Sequence, residues 1–180
     1  GINILHFESV DSTNKVALNL EDWSHLLTIV ADNQECGRGR LGRSFFSYDG
    51  GLYMSVIVDP QKINVPLHIC TPAAALVVKN CLEKYGVYNA QIKWVNDILV
   101  DGKKVCGILT ESRSFENGIN RLVIGIGINL KNAEIIFPDE IKDRAGFAKC
   151  KVDKLTLASD IACALGELLL KEQSKIVGEY

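Results

Sequence analysis

Two turn signals set in apolar sequence constrain the fold of this chain more than any other feature. Asp101-Gly102 separates an apolar run over 92–100 from VCGILTES at 105–112, and Glu116-Asn117-Gly118 separates that run from RLVIGIGINL at 121–130. Asp-Gly and Asn-Gly favour the tight positive-φ turns that join antiparallel neighbours. The two predicted hairpins share their middle strand, so a chain with this centre builds on antiparallel sheet.

Further strands are read at 2–7 (INILHF), 26–31 (LLTIVA) and 52–58 (LYMSVIV), the last β-branched and aromatic. Helical spacing of apolar residues occurs three times. It follows Asp11-Ser12-Thr13-Asn14, residue types that accept hydrogen bonds from unpaired amides at a helix start. It runs through Cys70, Ala74, Val77, Val78, Cys81, Leu82 and Tyr85 of 67–85, with Gly86 as a stop. It closes the chain over 156–172, with Ile161, Leu165 and Leu168 on one face. Residues 131–153 are mixed and charged, the composition of a long connection. The expected class is α+β: a mixed, mostly antiparallel sheet flanked by helices. A length of 180 residues fits one domain with a substantial core.

Chemistry concentrates in GRGRLGR at 37–43, which holds three of the six arginines. Glycines let the backbone turn and a ligand approach, and guanidinium forks suit carboxylate and phosphate oxygens. Such a loop is expected to be mobile when empty and ordered by an anion. Net charge is −2, so the positive charge is local and points to a small anion rather than a polyanion. Gln34 offers an amide at the root of the loop, and Phe45 follows it, suited either to core packing or to stacking on a planar base. Asn96-Asp97 interrupts the 92–100 run; a ligand or metal site accounts for it, as does a β-turn. Lys104 enters the next strand where its ammonium can reach toward the arginine loop. Gly125 and Gly127 mark a place where something comes close to the sheet. Gly-x-Gly here lacks the strand–turn–helix context of a dinucleotide fold.

The six cysteines include no Cys-x-x-Cys pair, and buried thiols in a reducing cytosol account for them. With no cleavable signal pattern and no apolar run long enough for a bilayer, the expected location is cytoplasmic.

In this order DSTN at 11–14, GRGRLGR at 37–43, KWVND at 93–97, KVCGIL at 104–109 and GIGIN at 125–129 resemble the catalytic domain of biotin protein ligases. The resemblance implies the biotin–lipoate ligase fold, akin to class II aminoacyl-tRNA synthetases. It also implies ATP-dependent ligation of biotin, through biotinyl-5′-AMP, to a lysine of a biotin carboxyl carrier protein domain of a carboxylase. Residues 1–180 then form that catalytic domain, with neither an N-terminal helix-turn-helix nor a C-terminal SH3-like barrel in this chain. ATP and biotin are substrates, Mg²⁺ assists, and no tightly bound cofactor, DNA or membrane is implied; a homodimer stays open.

Carried over by position, Ser12, Thr13, Asn14, Gln34, Arg38, Gly39, Arg40, Lys104, Gly125 and Gly127 bind biotin. The two glycines would let it lie flat on the sheet. Arg40 and Lys104 are the catalytic candidates. Arg43, Phe45, Asn96 and Asn129 take the nucleotide, and no metal ligand is assigned. Val95 stands where the family usually has proline, and Phe45 where it has a tryptophan. Two alternatives accompany this reading: a non-catalytic biotin-binding remnant, and a lipoate or octanoyl transferase on the same fold.

Overall fold

A computed structural model describes residues 1–116, 118–131 and 134–171. Asn117 of the second turn and Glu172 at the end of the third predicted helix lie outside the described residues.

Seven strands form one sheet: β1 (Ile4–Val10), β2 (Thr28–Gln34), β3 (Leu52–Val58), β4 (Gln91–Lys93), β5 (Asp97–Val100), β6 (Lys103–Phe115) and β7 (Gly118–Ile128). Their order across the sheet is β1-β2-β3-β7-β6-β5-β4. β1 and β2 are parallel and every other pair is antiparallel; β5–β6 and β6–β7 pair as the two turn signals require. Asp101 and Gly102 both take positive φ, 51° and 76°, in the β5–β6 turn. The 92–100 run is two short strands rather than one. Trp94, Val95 and Asn96 turn the chain between β4 and β5, so the β-turn reading of the polar interruption holds; the Trp94–Val95 peptide is cis.

Alternation along the strands decides what each sheet face does. Met54, Val56 and Val58 of β3 and Leu122, Ile124, Ile126 and Ile128 of β7 point to one face. There they bury against helices α2 (Cys70–Lys84) and α3 (Lys154–Leu169) in the main core. α2 ends at Lys84, with Tyr85 as its C-cap and Gly86 at φ +89°, and Asp153 caps α3 by accepting from Thr156 N at 2.9 Å. The intervening residues, Tyr53, Ser55 and Ile57 with Val123, Gly125 and Gly127, face the other way. Helix α1 (Thr13–Asn19) covers that face through Ala17, which packs with Leu27, Ile29, Ile57 and Val123.

α1 has only seven residues, and its C-terminal carbonyls need partners. Arg121, 4% exposed, supplies them: Nη1 donates to Ala17 O at 2.7 Å and Nη2 to Leu20 O at 2.8 Å. Arg113 Nη1 donates to Leu18 O at 2.9 Å. Two arginines of the β6–β7 hairpin thus fix the helix that begins with the Asp-Ser-Thr-Asn cluster.

The cysteines partly depart from the expectation of buried thiols. Cys70, Cys81 and Cys106 are buried, but Cys36 lies exposed beside the arginine loop and Cys163 on the solvent side of α3; all six are free. Burial pushes the Cys70 and Cys81 thiols up to about 11. Among the described residues no helix is long and apolar enough to cross a membrane.

Candidate functional site

The polar cluster at the start of α1 is both a helix cap and a cavity wall. Ser12 is the N-cap, accepting from Lys15 N at 3.5 Å. Thr13 N donates to Gln34 Oε1 at 2.9 Å, and Gln34 Nε2 donates to Ser47 Oγ at 3.1 Å. Asn14, 4% exposed, accepts from Ser55 Oγ at 2.6 Å and donates Nδ2 to Leu109 O at 3.2 Å and Glu111 Oε2 at 2.8 Å. These contacts draw α1, β2, β3 and β6 together at one end of the cavity.

The arginine loop closes on itself through backbone bonds. Gly39 N donates to Arg43 O at 2.7 Å, Phe45 N to Gly37 O at 2.8 Å, and Arg38 bridges Ser44. A Cβ on Gly37 would lie 2.4 Å from Phe45 O, so glycine is required there for close approach. Leu41, at φ 57°, stands 89% exposed at the loop tip. Arg38 Nη1 lies 3.4 Å from Glu111 Oε1, and Arg40 Nη1 lies 3.4 Å from Asn96 Oδ1. The loop therefore touches β6 with one arginine and the β4–β5 turn with another.

One cavity brings together all ten positions matched to biotin: Ser12, Thr13, Asn14, Gln34, Arg38, Gly39, Arg40, Lys104, Gly125 and Gly127. The two glycines line the cavity and also admit two of its other walls. A Cβ on Gly125 would stand 2.2 Å from Asn14 Oδ1, and one on Gly127 would stand 2.6 Å from the Phe45 ring. Their missing side chains make room for Asn14 and Phe45, and these in turn line the cavity. Gly107, the glycine of the KVCGIL motif and matched to no ligand, does the same for Phe45 and Lys104, each 3.1 Å from its Cβ position.

A second cavity adjoins the first and shares Phe45 and Lys104 with it. Arg43 and Asn129, two positions matched to the nucleotide, line this second cavity with Asp97, Lys93 and Arg144. Asn129 is 5% exposed and its Oδ1 has no hydrogen-bond partner among the described residues, so it can accept one from a ligand. Asn96, also matched to the nucleotide, sits instead on the wall of the first cavity. Its Nδ2 donates to Ile108 O at 3.2 Å, and its backbone carbonyl accepts from Ile108 N at 2.8 Å, so it also anchors the β4–β5 turn to β6. The far wall of the second cavity, Ile141 with Asp143 to Ala145, comes from the charged connection that carried no signal in sequence. It is held there by Lys104 N donating to Arg144 O at 2.7 Å.

Lys104 stands at the junction. Its Nζ lies 2.9 Å from Asp97 Oδ1 and 5.8 Å from the Phe45 ring centroid, and the side chain is 37% exposed. The arrangement offers a polar recess at one end, cations from Arg38, Arg40 and Lys104 along its length, and a second chamber beyond. It offers hydrogen-bond partners to a neutral polar group and cations to an acid or phosphate group. Among the described residues no three His, Cys, Asp or Glu side chains converge to cage a metal.

Comparison with known proteins gives the same picture. The sequence profile of the biotin/lipoate A/B protein ligase family matches residues 6–129. The bifunctional ligase/repressor BirA of Bacillus subtilis is 39% identical over 152 residues, which cover 81% of this chain and 46% of that protein. The biotin–[acetyl-CoA-carboxylase] ligase of Paracoccus denitrificans is 36% identical over 126 residues, covering 68% and 52%. The biotin protein ligase of Aquifex aeolicus, solved in complex with biotin and ATP, superposes with a TM-score of 0.80 at 33% identity. That match covers 93% of this chain and 70% of that one. The chain spans about half the length of the curated relatives it matches.

Proposed function

The chain belongs to the biotin/lipoate A/B protein ligase family, and from that premise we propose that it activates biotin with ATP and transfers it to a carrier-protein lysine. The observation that carries the proposal is the meeting of the two cavities at Lys104 and Phe45. A two-substrate reaction needs an acid group and an α-phosphate brought into contact, and a shared wall is where they would touch.

In the proposed reaction the biotin ring occupies the recess formed by Thr13, Asn14 and Gln34. A ureido group can share further hydrogen bonds with those amides and hydroxyls, whereas a dithiolane or alkyl chain offers them none. The biotin carboxylate attacks the α-phosphorus, the bond to the bridging oxygen breaks, and pyrophosphate leaves. Arg40 and Lys104 offset the charge gathering on the phosphoryl oxygens, a task for preorganised cations in a water-poor site. Arg43 and Asn129 are assigned to the nucleotide side, with Phe45 as its aromatic wall. Mg²⁺ would arrive with ATP and be held chiefly by phosphate oxygens, with Asp97 or Asp143 as a single protein carboxylate.

The acyl-adenylate formed is prone to hydrolysis, so the 37–43 loop would cover it until a carrier lysine enters. The neutral ε-amine attacks the acyl carbon, the carbon–oxygen bond to the phosphate breaks, AMP departs, and the surplus amine proton passes to solvent. No enzyme nucleophile is required. The proposed setting is the cytoplasm, where free thiols persist. The acceptor is a biotin carboxyl carrier protein domain.

Incubating the chain with labelled biotin and MgATP, then adding a carrier domain, tests the proposal. Labelled carrier is the expected result. Retained biotin with no pyrophosphate released would point instead to a binding remnant, and carrier labelled by lipoate alone to the sister activity.

A further inference from the structure

Glu111 has no part in the reaction proposed above, yet its carboxylate joins the two halves of the first cavity. It lies on β6 two residues beyond Leu109 and opposite Val123, on the sheet face that carries Gly125 and Gly127. Oε2 accepts from Asn14 Nδ2 at 2.8 Å, and Oε1 lies 3.4 Å from Arg38 Nη1. Asn14 belongs to the buried ring end of the site; Arg38 belongs to the exposed loop that covers it. A single side chain therefore spans from floor to cover.

The neighbouring charges leave this bridge to Glu111 and Arg38. Arg113, on the same face two residues along, is engaged with Leu18 O at 2.9 Å. Lys15 on α1 is paired with Asp11. The Asn14 amide cannot turn away, because its Oδ1 is held by Ser55 Oγ at 2.6 Å and its Nδ2 also faces Leu109 O. Asn14 is thus a fixed donor that holds in place the carboxylate receiving Arg38. The pair is half exposed, with Arg38 at 46% and Glu111 at 27%. It is weak enough to open for ligand entry and strong enough to bias the loop toward the closed position.

We propose that Glu111 is a positioning residue that holds the 37–43 loop over the cavity, anchored by Asn14 on one side and receiving Arg38 on the other. Its ligand rests on the biotin reading; its hold on the loop does not. With the ring in place, Glu111 keeps Arg38 over the cavity and delays escape of the ligand.

Limited trypsin cleavage tests this directly, because the loop offers Arg38, Arg40 and Arg43 as cut sites. The full chain and its Glu111→Gln and Glu111→Asp variants are digested with and without biotin, and each cut is followed by mass spectrometry. Glutamine keeps the shape and the acceptor for Asn14 but removes the charge facing Arg38. Glu111→Gln is expected to raise ligand-free cleavage in the loop about two- to fivefold, the range a half-exposed ion pair supports. Cleavage elsewhere stays unchanged, and biotin leaves faster by a similar factor. The KM for biotin rises while kcat at saturating biotin holds, and Glu111→Asp lies between.

Loop cleavage and biotin release equal to the wild type in Glu111→Gln would overturn the proposal. So would cleavage accelerated equally at every site, which marks a loss of general stability. Should Glu111→Gln fail to fold, the same loop-specific rise is required of Glu111→Asp. A wild-type chain that biotin does not protect defeats the biotin reading, while the ligand-free comparison still decides whether Glu111 orders the loop.

Discussion

Ser55, fully buried in β3, donates its hydroxyl to Asn14 Oδ1 at 2.6 Å and so determines which way the Asn14 amide faces. Ser55 Oγ also lies 2.8 Å from Thr13 Oγ1. A strand residue beneath the cavity thus orients two side chains proposed to read the ligand.

Ser55→Ala is expected to leave Asn14 Oδ1 buried without its donor, a loss of about 1–2 kcal/mol. Biotin affinity should fall by about tenfold. Titration calorimetry with biotin measures it, and KM for ATP should be unchanged. Undiminished biotin affinity would mean that the Asn14 orientation is set without Ser55.

Much of the fold could be read from local chemistry. Asp101-Gly102 marks a hairpin because few residues other than glycine accept the φ that the turn requires, and Ser12 caps α1 because a short hydroxyl can accept from an amide three residues on. The arginine loop announced itself by composition. What stayed hidden depends on register between distant segments. Ser55 meets Asn14 across 41 residues and Glu111 meets Asn14 across 97, so no window of sequence shows either pair. Ser55 did leave a trace, as the single polar residue in the apolar strand LYMSVIV. Gly125 and Gly127 were read as a place of close approach, but that Asn14 and Phe45 are among what approaches becomes visible only once α1 and the loop are laid on the sheet. The wall from Ile141 to Ala145 is held by the backbone of Lys104, an interaction blind to side-chain type.

The two glycines should be separable by mutation. Gly125→Ala places a methyl group 2.2 Å from Asn14 Oδ1 and should abolish measurable biotin binding by displacing the amide. Gly127→Ala instead meets the Phe45 ring at 2.6 Å. Because that ring borders both cavities, the second variant should raise KM for ATP as well as for biotin. Parallel initial-rate measurements against each substrate distinguish the two, and identical profiles would contradict the assigned contacts.

Arg121 is expected to matter for stability rather than chemistry. Its guanidinium is buried, makes three bonds to carbonyls of α1 and the residue after it, and stacks 4.6 Å from the Trp23 ring. Arg121→Ala removes charge-assisted bonds and leaves buried carbonyls open, a loss of about 3 kcal/mol. For a domain of this size the melting temperature should fall by about 10 °C. A melt within a degree or two of the wild type would show that α1 is held by its apolar face alone.

Asp32 ties the first strand pair to α3. Burial alone would raise its carboxyl, but hydrogen bonds from Lys154 at 2.5 Å and His6 at 3.0 Å outweigh that and hold it below its ordinary 3.8. A carboxyl lowered in the folded state stabilises above the unfolded value, and that contribution is lost as pH falls through the folded one. Asp32→Asn should therefore melt about 2–4 °C below the wild type at pH 7. The gap should narrow once pH drops under 3.8. A gap that does not change with pH would remove the ion pair as its cause.

Lys104 bears most directly on the chemistry, because the two cavities share it and its ammonium is already paired with Asp97 at 2.9 Å. An ammonium at this junction contributes little to holding a neutral ring far down the first cavity. In the proposed reaction it would contribute most when charge builds on the phosphoryl oxygens between the two substrates. Lys104→Ala should therefore lower pyrophosphate release by about 100-fold or more. Equilibrium biotin binding should weaken by no more than about fivefold, the range of an exposed charge. Asp97 is left unpaired in that variant, so Lys104→Arg, which keeps the charge but moves it, separates loss of charge from loss of the pair. Arginine should restore biotin binding fully and adenylate formation in part. Equal losses in the binding and pyrophosphate assays would assign Lys104 to ground-state binding and leave the transfer step to Arg40.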